Sequence, residues 1–262
     1  MADTTASSLD ILAIAAHRDD VEQTCGGTLL KATQRGKRTG ILDLTKGEMG
    51  TRGSAEDRAR EAADAAKILG ASWRRALDIP DGRVENTWEN RLKIAGVIRE
   101  TRPRVVILPY WQGRHPDHYT TSTLGYEACF LAGLAKLPLS SQPSATNGIT
   151  PGKASAAAGP LAPYRPFKII YATLYYDIRP TFVVDISEQF EGKFNSIMAY
   201  KSQFSDQDAG KDLFPAHDEI RARVDSMARY YGALAGVKYG EPFLQKEVGL
   251  AEDLVAIPVK SI

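Results

Sequence analysis

Runs of apolar residues alternate with amphipathic stretches through the first half of the chain. Residues 9–15 form a mostly apolar run of strand length, and 21–35 read as a helix closing at Gly36. Residues 38–45 supply a second strand through Ile41-Leu42-Asp43-Leu44, followed by a glycine-punctuated loop over 46–53. An alanine-rich helix is predicted over 54–69, with Ser54 as N-cap, Asp57 in its first turn and Gly70 as its stop. A third strand is expected over 73–79, ending in the turn Pro80-Asp81-Gly82. The amphipathic stretch 88–101 reads as a helix ended by Pro103, the run 105–109 as a buried strand, and 117–134 as the next helix. Strand and helix in strict alternation predict a parallel sheet covered on both faces, with all strand carboxyl ends at one edge. The fold class expected is therefore α/β, a Rossmann-like three-layer αβα with a mostly parallel central sheet.

The rhythm breaks at 138–166, a stretch rich in Ser, Ala, Pro and Gly that reads as a flexible insertion. Strands are expected over 168–176 and 181–186. Ser187 is expected to cap a helix running to about Gln203, and another helix is predicted over 215–234. Residues 236–243, with three closely spaced Gly and Pro, read as loop near the core. No internal repeat or linker divides the 262 residues, so one domain over 1–262 is expected.

Composition narrows the function classes. Hydrophobic residues make up 43% and charged residues 25%, and net charge is +1, which gives no reason to expect nucleic acid or an anionic membrane as partner. Two cysteines, Cys25 and Cys129, make no disulfide framework. Residues 1–8 lack a secretory pattern, and no apolar run approaches the ~18 residues of a membrane helix. A cytoplasmic location is expected.

Chemistry concentrates in two short stretches, each directly after a predicted strand. Ala16-His17-Arg18-Asp19-Asp20-Val21-Glu22 follows the first strand, and Arg114-His115-Pro116-Asp117-His118 follows the strand at 105–109. Three of the four histidines lie in them. Either stretch alone is ordinary, because Asp suits a helix start and Pro and Asp favour turns. Two of them at one sheet edge point to a metal. His17, Asp20 and His118 make a His2Asp set of the kind that holds a catalytic zinc and leaves a position open, and iron(II) suits the same donors. Asp19 is then free to move protons and His115 to stabilise an oxyanion, while Asp117 fixes a histidine tautomer. Such a set suffices to hydrolyse an amide without a serine or cysteine nucleophile.

The first stretch resembles the Ala-His-Pro-Asp-Asp-x-Glu signature of the LmbE-like (PIG-L-type) zinc N-deacetylases, and the second matches that family's other signature. The resemblance extends to Gly47-Glu48-Met49-Gly50-Thr51-Arg52-Gly53, Leu77-Asp78-Ile79-Pro80-Asp81-Gly82, Ala199-Tyr200-Lys201-Ser202-Gln203-Phe204, and Tyr231-Gly232 through Phe243. Within the family the chain is most similar to deacetylases of bacillithiol biosynthesis, which act on N-acetylglucosaminyl-malate. The resemblance implies zinc at His17, Asp20 and His118, with Asp19 as base and then acid. It implies His115 as the charged group that stabilises the tetrahedral intermediate, oriented by Asp117. It places Arg58 in the substrate pocket, where a guanidinium could pair with the malate carboxylate, and Arg114 and Tyr200 are further substrate-binding candidates. It implies a small N-acetyl sugar as substrate and a homo-oligomer. Two departures stand out. Arg18 replaces the signature proline, and a cation there is expected to lower the pKa of Asp19. The 138–166 insertion bears on which N-acetyl sugar is taken. A Rossmann-type nucleotide-binding protein is a rival, but the first turn lacks Gly-x-Gly-x-x-Gly. A non-catalytic sugar-binding relative is another, countered by the complete set of chemical residues.

Overall fold

A computed structural model describes residues 8–140, 160–174, 178–204 and 217–259. In chain order the elements are β1 (Ile11–Ala15), α1 (Asp20–Gln34), β2 (Thr39–Asp43), α2 (Ala55–Leu69), β3 (Trp73–Ala76), α3 (Trp88–Thr101), β4 (Val105–Pro109), α4 (Pro116–Ala132), β5 (Lys168–Ala172), β6 (Phe182–Asp185), α5 (Phe190–Met198), α6 (Lys201–Phe204), α7 (His217–Leu234) and β7 (Gly240–Leu244). The seven strands form one mixed sheet in the order β3-β2-β1-β4-β5-β7-β6. Neighbours from β3 through β5 pair parallel, and β7 runs antiparallel to both β5 and β6.

Alternate strand residues feed two cores. Leu12, Ile14, Leu42, Val106 and Leu108 pack with Ile94, Val97, Leu124 and Ala128 of α3 and α4. Their neighbours Ala13, Ala15, Ile41 and Ile107 pack with Val21, Cys25 and Leu29 of α1 and with Ala66 and Leu69 of α2. Strands buried on both faces explain why these runs carry no polar alternation. From β1 the chain winds outward to β2 and β3, then crosses to β4 on the other side of β1. The strand order therefore reverses between β1 and β4, which is where open α/β sheets form a binding crevice.

The helix caps follow the sequence closely. Ser54 accepts from the Asp57 amide while Asp57 bonds back to Ser54, a complete capping box, and Gly70 closes α2 in the left-handed region at φ 66°. Three expectations need correction. Residues 240–244 are a strand rather than loop. Gly240 and Pro242 disguise it, but the ladder to β5 begins only at Phe243, so Pro242 interrupts no bond on that side. Ser187 does not cap a helix: its hydroxyl bonds Asp185 and accepts from the Tyr239 amide, tying β6 to the start of β7. The helix begins at Phe190 and is broken after Met198, leaving α6 as a separate turn. The third strand stops at Ala76, short of Ile79. Most of the 138–166 insertion, the end of the strand expected at 168–176, and residues 215 and 216 lie outside the described residues.

Candidate metal centre and active site

Two helix N-termini meet at the β1/β4 switch point. Asp19 caps α1 and Asp20 is its first residue. His115 caps α4, Pro116 opens it, and Asp117 and His118 complete the first turn. His17 lies in the turn between β1 and α1. The three proposed metal ligands face one another. His17 Nδ1 and His118 Nε2 are 3.2 Å apart, His17 Nδ1 and Asp20 Oδ2 3.4 Å, and His118 Nε2 and Asp20 Oδ1 3.2 Å. For bonds of about 2.0–2.1 Å, tetrahedral ligands sit about 3.3–3.4 Å from each other. The three side chains therefore stand at the spacing a tetrahedral cation requires, with Asp20 turning one oxygen to each imidazole. His115 also places a ring nitrogen within 4.8 Å of His17 and His118, a looser triangle.

The charges fit the same reading. Burial alone would raise the Asp20 carboxyl, but His118 and His17 hold it well below the usual carboxylate range. Burial lowers the His17 pKa, and hydrogen bonds to Asp117, Asp20 and Asp81 reverse this and push it up to about 12. The Nδ1 of His17 faces Asp20 and His118. Its other nitrogen, Nε2, lies 3.0 Å from Asp81 Oδ1 and 3.3 Å from Asp117 Oδ2. With Nε2–H donated to these carboxylates, Nδ1 is left for the cation.

Asp117 therefore serves a different histidine from the one expected. Its carboxylate accepts from the Gly82 and Val84 amides and faces His17. His115 is held instead by its cap: its Nδ1 accepts the Asp117 amide at 3.2 Å. Burial, followed by the neighbouring His17 and His118, lowers the His115 pKa. Asp81, read from sequence as part of a turn and of the family-like stretch 77–82 but given no role, faces His17 in the structure. It accepts from the Met49 amide, and Glu48 in turn holds the Asp81 amide. The signal available was its place after a strand on the same sheet edge as His17.

Asp19 adopts φ 102°, a strained conformation for a residue with a side chain. Its carboxylate receives Arg58 Nη2 at 3.1 Å, and the same nitrogen donates to the Arg18 carbonyl. Burial pushes the Asp19 pKa up to about 7, against the opposing pull of Arg58. Two expectations about cations change as a result. Arg58 is buried against Asp19 and the Arg18 carbonyl rather than free to meet a substrate carboxylate. The Arg18 guanidinium points away, donating to the Lys46 and Ala55 carbonyls, so the cation acting on Asp19 is Arg58. Gly47 lies over Arg58 at φ 73°, where a Cβ would stand 2.5 Å from Nη1. Tyr200 is not at the site at all. It is 0% exposed, with its hydroxyl on Glu22. Arg114 is exposed at the rim of the crevice.

A cavity of about 30 Å³ runs beside the ligands, lined by Asp20, Thr24, Cys25, Tyr110 and His118 among others. A much larger cleft of about 790 Å³, between α4, β5 and the segment after β7, holds none of the candidate residues. No described helix is long and apolar enough to cross a membrane.

Fold and site together define a class: an α/β protein with a carboxylate–imidazole crevice at its switch point, whose donor set fits a metal ion. The family described as PIG-L, GlcNAc-PI de-N-acetylase, matches residues 12–129. A diacetylchitobiose deacetylase of Thermococcus kodakarensis is 31% identical over 242 residues, covering 88% of this chain and 80% of that protein. The chain belongs to the PIG-L family. Among solved structures, the conserved protein TT1542 from Thermus thermophilus is 36% identical with a TM-score of 0.78, covering 94% of this chain and 98% of that one. The N,N'-diacetylchitobiose deacetylase from Pyrococcus horikoshii is 26% identical with a TM-score of 0.72, covering 89% and 82%.

Proposed function

We propose that the protein is a metal-dependent hydrolase that removes the acetyl group from an N-acetylglucosaminide, releasing acetate and a free amine. The observation that carries this is the triangle of His17 Nδ1, Asp20 and His118 Nε2 with edges of 3.2–3.4 Å. Two imidazole nitrogens and a carboxylate at this spacing are the donor set of a metal site. The donor set suits zinc, with iron(II) as the alternative. When bound there, the ion supplies a Lewis acid that acidifies water and polarises an amide carbonyl.

The protein's own groups do the rest. Asp19, with a pKa of about 7, takes a proton from the attacking water and returns it to the leaving amine. Arg58 keeps Asp19 from being permanently protonated. His115, with Nδ1 engaged by the Asp117 amide, carries its proton on Nε2 and offers it to the oxygen of the tetrahedral adduct. Asp81 and Asp117 orient His17.

Deacetylases of N-acetylglucosamine glycosides among the relatives support the substrate class. N-acetylglucosaminyl-malate, the bacillithiol precursor, stays within that class, with Arg58 Nη2 engaged by Asp19. We further read the chain as one Rossmann-like three-layer domain over 1–262, self-associating and cytoplasmic. The test is acetate release from N,N'-diacetylchitobiose, N-acetylglucosaminyl-malate and N-acetylglucosaminyl-inositol, by protein stripped of metal and by protein reloaded with zinc or iron(II). Release is expected only after reloading. A reloaded protein inert toward the whole panel overturns the proposal and leaves a sugar-binding relative as the reading.

A further inference from the structure

Helix α1 carries Asp20 in its first turn and Asp19 at its cap, yet it is not continuous. At Cys25 the backbone leaves helical geometry, with φ −142° and ψ 17°. A straight helix would bond the Gly27 amide to the Gln23 carbonyl and the Thr28 amide to the Thr24 carbonyl. The Gly27 amide donates to Glu241 Oε1 at 2.9 Å and the Thr28 amide to Glu241 Oε2 at 2.7 Å. The Gln23 carbonyl accepts from Lys193 Nζ at 2.7 Å, and Lys193 Nζ pairs with Glu241 Oε1 at 2.6 Å. A buried ion pair, from α5 and β7, is thus inserted into the hydrogen-bond ladder of α1 and satisfies the groups the break sets free. Both side chains are buried. Gly27 belongs to the same construction, since a Cβ there would stand 2.9 Å from Ile186.

The break lies one turn behind the proposed ligands. Thr24 and Cys25 line the small cavity together with Asp20 and His118. The direction of the segment from Asp20 to Thr24 sets where the Asp20 carboxylate points, and it differs from the direction of the rest of α1. We propose that Lys193 and Glu241 are positioning residues: by wedging open the ladder of α1 they turn its first segment so that Asp19 and Asp20 face His17 and His118. This rests on the metal-site reading above. Burying an ion pair costs desolvation that an ordinary helix bond avoids, so a purely structural need would be met more simply by a straight helix.

The test uses the full chain with Lys193→Met, Glu241→Gln and Lys193→Arg. Zinc affinity is measured by competition with a chromogenic chelator, kcat and KM on the most active glycoside of the panel, and Tm by thermal unfolding. Lys193→Met and Glu241→Gln are expected to weaken zinc binding about 10-fold or more, in the range seen when groups behind metal ligands are lost. They should lower kcat with KM within about twofold, while Lys193→Arg, which still caps the Gln23 carbonyl, should keep most of both. A crystal structure of Lys193→Met is expected to show the Gln23 carbonyl and Gly27 amide closing toward a helical bond, with Asp20 displaced. Variants that lose only Tm, with zinc affinity and kcat unchanged, overturn the proposal, as does an unaltered break in the Lys193→Met structure. Should Glu241→Gln fail to fold, Lys193→Met decides alone. Should the wild type neither bind zinc nor release acetate, the functional reading fails, and the Lys193→Met structure still decides whether the pair shapes α1.

Discussion

Two buried charge clusters stand within one helical turn of each other, and they are built to opposite rules. Around Arg74 a guanidinium sits directly on its carboxylates. Its Nε and Nη2 take both oxygens of Asp43 at 2.9 Å, and its Nη1 takes Glu22 at 2.6 Å and the Ala62 carbonyl at 3.2 Å. Glu22 also receives the Tyr200 hydroxyl. Around His17 the groups are crowded instead. Two imidazole nitrogens stand 3.2 Å apart with a carboxylate across them, two more carboxylates sit behind, and a fourth, Asp19, is pushed up to about 7. The Arg74 cluster shares one guanidinium between two carboxylates and leaves Glu22 Oε2 without a hydrogen-bond partner. The His17 cluster instead converges imidazole and carboxylate donors on one point, and that convergence distinguishes a candidate site from a buried salt bridge.

The comparison breaks most sharply at Asp19. Asp19→Asn is expected to lower turnover by roughly 10²–10⁴-fold with zinc affinity kept; retained turnover would remove Asp19 from the reaction. The same variant should gain stability. In the metal-free fold Asp19 binds a proton up to about pH 7, against ~4 when unfolded. The wild type therefore loses stability as pH rises through that window and carries the whole cost above pH 7. The Tm advantage of Asp19→Asn should be largest above pH 7 and vanish below about pH 4.

Arg74→Met should do the reverse, leaving Glu22 and Asp43 buried without a partner. A loss of about 3–5 kcal/mol in urea unfolding is expected, the usual cost of breaking a buried pair from one side. Asp117→Asn is a smaller intervention, because it weakens the hold on His17 Nε2 without touching a ligand. Zinc affinity should fall by about 10–100-fold by chelator competition; an unchanged affinity would place Asp117 with the structural cluster. The smallest effect expected is that of Arg58→Met. Arg58 lowers the Asp19 pKa, so its loss should move the acid limb of kcat/KM upward from about pH 7. An unmoved limb would mean that another group titrates there.

Much of this was legible in the sequence, for physical reasons. Parallel strands buried on both faces give unbroken apolar runs, and helices start and stop at residues with distinctive chemistry, so β1 through α4 could be read closely. His17, Asp20 and His118 were legible because the motifs directly follow strands that share an edge. What escaped depended on distant partners. Tyr200 looked like a site residue by resemblance, but it fills the core beneath Glu22. Arg58 was read as lining the substrate pocket, and nothing local shows that Asp19 will face it. The strand at 240–244 was hidden by Gly240 and Pro242, and Asp81 by the ordinary look of a Pro-Asp-Gly turn.

That late strand has a consequence for how the protein is made. Its Glu241 completes the first helix of the chain, and its Phe243 and Leu244 join the middle of the sheet to β6. Translation, at about 5–20 residues per second, must pass residue 244 before the amino-terminal third can reach its final shape. Until the last described strand leaves the ribosome, Glu241 cannot reach α1 and the β5 flank of the sheet lacks its neighbour.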